Sequence, residues 1–250
     1  MWESVYFLLL AFSVGFNLLL YVVAYLLQTD KITDISYSLT FAIITVVGYF
    51  YFASDAIDGL IAFLVLIWAL RLGSYLFIRI LKIGHDERFD QIRVNPLSFF
   101  AFWLMQGLTC ALVSFPTIAI FKLEASQVNI VFVLMVILSL SGLLLETIAD
   151  AQKFKFKNSF PKKFMHSGVW KKIRHPNYTG ELMFWWGLFF AGLSLGIHWG
   201  TIVGPLWMSL IILRFSGVPI LVKKWELTYG NLEEFQEYKK NSWILIPYVY

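Results

Sequence analysis

SGVWKKIRHPNYTGELMFWW, residues 167–186, is the stretch around which the rest of the chain is organised. Pro176 has a fixed φ and no N–H, so it fits the first turn of a helix and not its middle. The residue before it, His175, is pushed toward an extended backbone. The pattern therefore predicts a loop that ends at His175 and a helix that begins near Asn177.

The start of this predicted helix has the chemistry of a ligand site. It carries Arg174, His175 and Asn177, and a helix N-terminus with such groups suits an anion such as phosphate. One turn inside, Glu181 places a carboxylate in an apolar, tryptophan-rich segment, where an ionisable group is a functional hypothesis. The alternative is a basic loop that only fixes topology, but topology needs lysine and arginine rather than Asn-Tyr-x-Gly-Glu.

The composition identifies the class of protein. The chain has 250 residues, of which 59% are hydrophobic and 14% charged, and several apolar runs reach about 18 residues or more. These values predict an all-α, polytopic membrane protein. The only cysteine, Cys110, lies in an apolar run, which excludes an intramolecular disulfide. The four histidines are scattered, so we expect no metal site.

The apolar runs predict a single domain, residues 1–250, in which a bundle of seven transmembrane helices is followed by an interfacial C-terminal tail. The last two spans are joined by a few residues around Trp199-Gly200, so we expect them to form an antiparallel hairpin. The predicted spans are about 4–27, 36–53, 57–83, 97–121, 129–151, 180–198 and 201–222.

The basic residues predict the orientation of the bundle. One set of alternate loops, together with the tail, carries sixteen lysines and arginines, whereas Lys122 stands alone on the opposite side. Because basic residues concentrate in cytoplasmic loops, the N-terminus is predicted outside and the C-terminus in the cytoplasm.

Several charged residues fall inside predicted spans, where a charge at the bilayer centre costs about 2.5–3.5 kcal/mol on insertion scales. Among them are Arg71, Arg79, Glu146, Asp150 and Arg214. Either these charges pair with one another to lock the bundle, or they form a polar cluster for a charged ligand. The second interpretation is favoured because Asp150 runs on directly into Lys153 and Lys157, so that the cluster opens toward the cytosol.

Three polar segments each allow two interpretations. The loop Gly84–Pro96 is a solvated surface or closes over a ligand. The basic, aromatic loop Lys153–Arg174 attracts anionic lipid headgroups or clamps an anionic cofactor, and it fits nucleic acid poorly. The tail Lys223–Tyr250 is an interfacial helix with an aromatic anchor, or a lid against the bundle.

The motif Arg174-His175-Pro176-Asn177-Tyr178-x-Gly180-Glu181, followed by Trp185-Trp186, resembles the steroid 5-alpha-reductase superfamily, and within it a bacterial branch of unknown function. A similar motif occurs in sterol C14- and C7-reductases and in isoprenylcysteine carboxyl methyltransferases, so it identifies the superfamily better than the reaction. Supporting matches are Asp34 in ITDISYS, Trp68-x-x-Arg71-Leu72-Gly73, Asp86-Glu87-Arg88-Phe89, Glu146-x-x-Ala149-Asp150-x-Gln152-Lys153, Tyr238 and Ile246-Pro247.

The resemblance implies a seven-helix bundle that takes NADPH from the cytoplasm and a lipophilic substrate from the bilayer. It implies that Asn177 and Glu181 contact the nicotinamide end. The implied cofactor contacts are Arg71, Arg79, Arg88, Glu146, Asp150, Lys153, Lys157, Arg174, His175, Asn177, Glu181, Trp185, Arg214 and Tyr238. The catalytic candidates are Glu181, Tyr178, Tyr75 and Asp34, with Tyr37 as a further possibility.

Three functions therefore stand as hypotheses. The first is an NADPH-dependent membrane reductase of a lipophilic, steroid-like or isoprenoid-like enone. The second is an S-adenosylmethionine-dependent membrane methyltransferase, and the third is a lipid-binding bundle without activity. The many cations favour NADPH, whose phosphates need positive charge, over S-adenosylmethionine, which has no phosphate. The substrate and the oligomeric state stay open, and membrane lipids are the other expected partners.

The orientation can be tested by cysteine accessibility on a Cys110→Ala background. Lys122→Cys should be labelled from outside by a membrane-impermeant reagent, because it lies on the side that is poor in basic residues. Lys162→Cys should be labelled only after permeabilisation. The reverse pattern would overturn both the topology and the entry of a cofactor from the cytoplasm.

Overall fold

A computed structural model describes residues 2–84, 89–124 and 127–246 of the chain. As the sequence predicted, this part is built of helices, with an isolated parallel β-bridge between Ile173 and Trp243. The α-helices are α1 Trp2–Leu26, α2 Thr33–Phe52, α3 Ala56–Ile83, α4 Asp90–Val94, α5 Pro96–Val113, α6 Phe115–Phe121, α7 Ile130–Ser159, α8 Pro176–Leu195, α9 Val203–Leu210, α10 Val218–Tyr229 and α11 Glu233–Lys240. Short 3₁₀ turns cover Gly168–Lys171 and Trp199–Ile202, and a π-helical turn covers Ile211–Phe215.

The structure confirms a multi-pass membrane protein. Six helical stretches in the described residues are long and apolar enough to cross a membrane: Ser4–Leu26, Thr33–Phe52, Ala56–Lys82, Pro96–Phe121, Ile130–Ser159 and Trp199–Tyr229. Helix α8 has the length of a span, but its first turns carry Asn177, Thr179 and Glu181, which lower its mean hydropathy. The seventh span and the sidedness of the termini therefore stay predictions.

One predicted boundary was wrong. The loop expected from Lys153 begins only after Ser159, because residues 152–158 contain no glycine or proline and α7 continues through them. The last predicted span, 201–222, lies within the candidate spanning stretch Trp199–Tyr229. This stretch is not one regular helix: it passes through 3₁₀, α and π turns, and α10 then continues to Tyr229.

The chain divides into two compact units. The N-terminal unit comprises residues 1–129 and 192–204, and the C-terminal unit comprises residues 130–191 and 205–250. The expectation that residues 1–250 form a single domain stays a prediction.

A buried polar network holds three helices of the N-terminal unit together. The side-chain amide of Gln106 in α5 donates to Asn17 Oδ1 of α1 at 2.9 Å and to Ser36 Oγ of α2 at 2.8 Å. Asn17 Nδ2 in turn donates to Thr40 Oγ1 at 3.1 Å. In a membrane protein such bonds across helices supply specificity that apolar contacts with lipid-like surroundings cannot.

The C-terminal unit is built around a close antiparallel contact of α7 and α8. A Cβ atom on Gly142 would lie 2.5 Å from the carbonyl oxygen of Gly180 and 2.7 Å from the backbone nitrogen of Phe184. One turn earlier in α7, Ser139 Oγ donates to Phe184 O at 3.1 Å. The two backbones therefore touch, as small residues allow in membrane helices.

An aromatic core lies at the end of α7 and is completed by the tail. Trp170 is fully buried, and its indole N–H donates to Ala149 O of α7 at 3.0 Å. Trp225, Tyr229 and Phe235 pack into the same core. These tail aromatics are buried against protein, so the structure favours the second interpretation of the tail, a segment folded onto the bundle.

The helix contact can be tested by adding one methyl group. Gly142→Ala should destabilise the protein by roughly 1–3 kcal/mol, because the methyl meets backbone atoms that can yield only if the helices separate. Gly15→Ala is the control, since nothing lies within 4 Å of its added Cβ, and alanine in a helix interior gains about 0.5–1 kcal/mol over glycine. Unfolding in detergent measures both, and equal stability of the two variants would contradict the contact.

Candidate functional site

The site begins where the chain enters α8. Residues 173–175, just before the helix, run beside the tail, with Ile173 joined to Trp243 by a parallel β-bridge. The backbone N–H of Arg174 donates to Trp243 O at 2.8 Å, and that of His175 donates to Ile244 O at 3.1 Å. Helix α8 then starts at Pro176, as the proline pattern predicted.

Two buried polar atoms at this helix start have no hydrogen-bond partner within the described parts of the chain. They are His175 Nδ1 and Asn177 Oδ1. The His175 side chain is sealed from solvent, with 1% of the residue exposed. Because buried polar atoms are almost always paired, each such atom calls for an explanation. A bound ligand with polar groups of its own would supply the missing partners.

The surroundings keep His175 neutral. Burial is the largest cause that lowers its pKa from the usual 6.5 to about 3, and the positive charges of Lys153 and Arg174 lower it further. Rings of Tyr178 and Trp225 lie 5.8 and 5.7 Å from the imidazole, centroid to centroid. A neutral imidazole can donate from one nitrogen and accept at the other, so Nδ1 can take either role.

Lys153 supplies a fixed positive charge at the site. Its ammonium lies over the ring of Trp170 at 4.9 Å and over that of Trp225 at 6.0 Å. Two indole faces hold a cation at an energy of about 0.5–2 kcal/mol each. The lysine is therefore positioned by the aromatic core.

Two carboxylates of α7 lie along the same helix contact. Glu146 is 2% exposed and Asp150 is 5% exposed, one turn apart. A Cβ atom on Gly180 would lie 2.9 Å from Glu146 Cβ, which places Glu146 directly beside α8. Because the helices are antiparallel, Asp150 follows toward the start of α8, where Asn177 lies one turn before Gly180. This confirms the predicted pairing of Glu146 and Asp150 on one helix face.

Two predicted cofactor contacts have bonds within the protein. Lys157 donates to Lys163 O at 2.6 Å and to Tyr229 Oη at 3.0 Å, so its ammonium holds the loop that follows α7. Tyr238 Oη donates to Trp170 O at 2.6 Å. Burial raises the pKa of Tyr238 above its usual value, so the phenol stays protonated and keeps this bond. Both side chains build the walls of the site.

The remaining predicted residues fall into three groups. Trp185 is buried in α8 beside Phe184, and Arg214 is exposed on the π-helical turn of the C-terminal unit. Arg88 lies outside the described residues. The third group belongs to the N-terminal unit and consists of Asp34, Arg71, Tyr75 and Arg79.

In the N-terminal unit, the structure pairs two of the predicted charges. Arg79 Nη2 lies 3.2 Å from Asp34 Oδ2, and both side chains are about one-quarter exposed. Arg71, Tyr75 and Arg79 follow one another at intervals of four residues along α3, so they share a face of that helix. Arg79 therefore has an ion-pair partner, although Asp34 is not one of the charges that were expected to pair with one another inside the spans.

The structure adds site residues that sequence reasoning missed. Trp170 and Trp225 form the aromatic support of Lys153, and Thr179 Oγ1 donates to Leu245 O at 2.8 Å. Gln152 Oε1 accepts from the backbone N–H of Val169 at 3.0 Å and so fixes the loop to α7. One sequence signal could have indicated the two tryptophans: each lies beside a basic residue, in Trp170-Lys171 and in Lys224-Trp225.

Comparison with known proteins gives one match. The family described as Protein of unknown function (DUF1295) matches residues 20–242, which include the site residues from Glu146 to Tyr238. Neither the curated proteins nor the solved structures contain a match to the chain.

The neutral state of His175 predicts a pH dependence of stability. The folded state takes up a proton at His175 only near pH 3, whereas the unfolded chain does so near 6.5. Between these values the unfolded state binds more protons, so stability should fall as the pH drops below about 6.5, by up to about 1.4 kcal/mol per pH unit. Unfolding in detergent at pH 7.5 and 5.0 measures this loss.

Two variants separate this contribution from those of other groups. His175→Gln should lose less stability than the wild type between these pH values, because it lacks the titrating imidazole. His198→Gln, at an exposed histidine, should keep the wild-type dependence. The same pH dependence in His175→Gln and wild type would show that this histidine is not held neutral.

Proposed function

Because the chain belongs to the DUF1295 family of proteins of unknown function, its activity has to be argued from the site, and we propose an NADPH-dependent membrane reductase. Its reaction is hydride transfer to a conjugated C=C bond of a lipophilic enone. The observation that carries the proposal is the pair of buried, unpartnered atoms His175 Nδ1 and Asn177 Oδ1 at the start of α8, with Lys153 and Arg174 close by.

The residues of the C-terminal unit fit a dinucleotide. A nicotinamide carboxamide both donates and accepts hydrogen bonds, which is the complement of an asparagine amide and a neutral imidazole. Lys153 and Arg174 supply the positive charge that phosphates require, and the N-terminus of α8 adds to it. Trp170 and Trp225 offer apolar ring surface at the same place.

Each polar residue then has a definite role. NADPH, when bound, supplies the hydride. Asn177 and Glu181 lie at i, i+4 on one face of α8 and would hold and orient the carboxamide. Glu146, beside Gly180, supports that face from α7. The buried aromatic core excludes water from the site, which strengthens each of these polar interactions.

The substrate needs a second kind of group. Reduction of a conjugated C=C bond places negative charge on the carbonyl oxygen, which a positioned donor stabilises. Tyr178 is the candidate donor in the C-terminal unit, where its ring lies next to His175. Substrate from the bilayer agrees with the exposed apolar faces of the spanning helices.

The presence of lysine and arginine favours a phosphate-bearing ligand over S-adenosylmethionine. S-adenosylmethionine carries a sulfonium cation and no phosphate, so Lys153 and Arg174 would have no phosphate to bind. S-adenosylmethionine is the alternative ligand in the binding test.

The proposal predicts a specific phenotype for Asn177→Ala. NADPH affinity should fall about tenfold or more, the equivalent of roughly 1.4 kcal/mol for a lost hydrogen bond. The stability of the ligand-free protein should not decrease through loss of Asn177 Oδ1, because this atom accepts no hydrogen bond within the described residues. Glu181→Gln should also fold and bind NADPH more weakly. Thermal shift and titration measure both quantities.

Asn158→Ala is the matched control, because it makes the same change at an exposed helical position of the same unit. It should bind NADPH as the wild type does. Normal NADPH binding by Asn177→Ala would show that the motif is structural. Stabilisation of the wild type by S-adenosylmethionine and not by NADPH would establish the methyltransferase alternative.

A further inference from the structure

The segment Ser242–Ile246, here called the strap, is bonded to the same residues that form the site. Three successive carbonyl oxygens of the strap each accept a hydrogen bond from the motif. Trp243 O accepts from the Arg174 N–H at 2.8 Å and Ile244 O from the His175 N–H at 3.1 Å. Leu245 O accepts from Thr179 Oγ1 at 2.8 Å.

The strap is held on both sides of these bonds. Its own Trp243 N–H donates to Lys172 O at 2.9 Å, and Ser242 Oγ donates to Tyr238 O at 2.6 Å. The side chain of Leu245 is 1% exposed, so the strap is packed as well as bonded. This segment therefore fixes the backbone from Lys172 to His175 and the first turn of α8.

Thr179 is the side chain through which α8 reaches the strap. The residue is 9% exposed, and its hydroxyl also lies 3.3 Å from His175 O. Its side chain therefore connects Leu245 O to the residue whose imidazole has the unpartnered Nδ1. Valine has nearly the same shape as threonine but lacks the hydroxyl, whereas serine keeps it.

We infer that the strap positions the start of α8, with Thr179 as the positioning residue, and that docking of the strap and occupancy of the site stabilise each other. The identity of the occupant rests on the proposed function, whereas the docking rests on the hydrogen bonds alone. Reciprocity follows from linkage: if a docked strap favours the binding-competent arrangement of His175 and Asn177, a bound ligand must favour the docked strap by the same factor.

The experiment compares Thr179→Val and Thr179→Ser with the wild type, all full length in detergent. Without nucleotide, hydrogen–deuterium exchange of residues 172–180 reports whether the Arg174 and His175 amides stay bonded to the strap. Thr179→Val should exchange these amides about tenfold faster, the effect of one lost buried hydrogen bond, and Thr179→Ser should restore protection.

With NADPH, two further changes are expected. The nucleotide should slow exchange of the same amides in the wild type, and its affinity should be about tenfold weaker in Thr179→Val and restored in Thr179→Ser. A merely structural role would change stability without this linkage.

Each part of the result decides a separate question. Unchanged exchange in Thr179→Val overturns the role of Thr179 in holding the strap, and faster exchange with wild-type NADPH affinity overturns the linkage between the strap and the site. If NADPH does not bind the wild type, the proposed function fails, while the exchange of the three proteins without nucleotide still decides whether Thr179 holds the strap.

Discussion

The contact on which the rest of the site depends is the backbone approach of α7 and α8 at Gly142 and Gly180. Within a bilayer no hydrophobic force drives helices together, because lipid tails are as apolar as the helix surfaces. Close packing and hydrogen bonds therefore decide which helices associate. This contact brings Glu146 beside α8. It also fixes the register in which the end of α7 reaches the start of α8, where Lys153 acts on His175. A wider spacing would remove both effects.

The site combines positive charge with exclusion of water, and both lower the stability of the folded protein. Each buried polar atom without a partner costs about 1–3 kcal/mol, and His175 Nδ1 and Asn177 Oδ1 are two such atoms. The charge on Lys153 is held by two indole rings, and the backbone at Arg174 is held by the strap. A ligand that supplies the missing partners would recover that cost, which is the advantage of a preorganised site.

The sequence predicted the local features of this arrangement and missed the distant ones. Proline chemistry predicted the start of α8, and helical spacing predicted that Glu146 and Asp150 share a face. In contrast, the bond of Thr179 to Leu245 joins residues 66 positions apart, and that of Tyr238 to Trp170 spans 68. No local pattern encodes such pairs. Lys157 was predicted to contact the cofactor because it is a basic residue near the motif; the structure adds its bond to its own loop, and the cofactor contact stays a prediction.

The motif forms one wall of the site, so the motif alone does not predict which reaction the site supports. The other walls come from the end of α7, the 3₁₀ turn at Trp170 and the tail at Trp225. A helix start with a buried, neutral histidine can serve ligands of more than one type. Lys153 adds positive charge to the site, although it lies outside the Arg-His-Pro stretch, and it is held by tryptophans from two different segments. The choice between a phosphate-bearing dinucleotide and a sulfonium therefore rests on these flanking walls as well as on the motif.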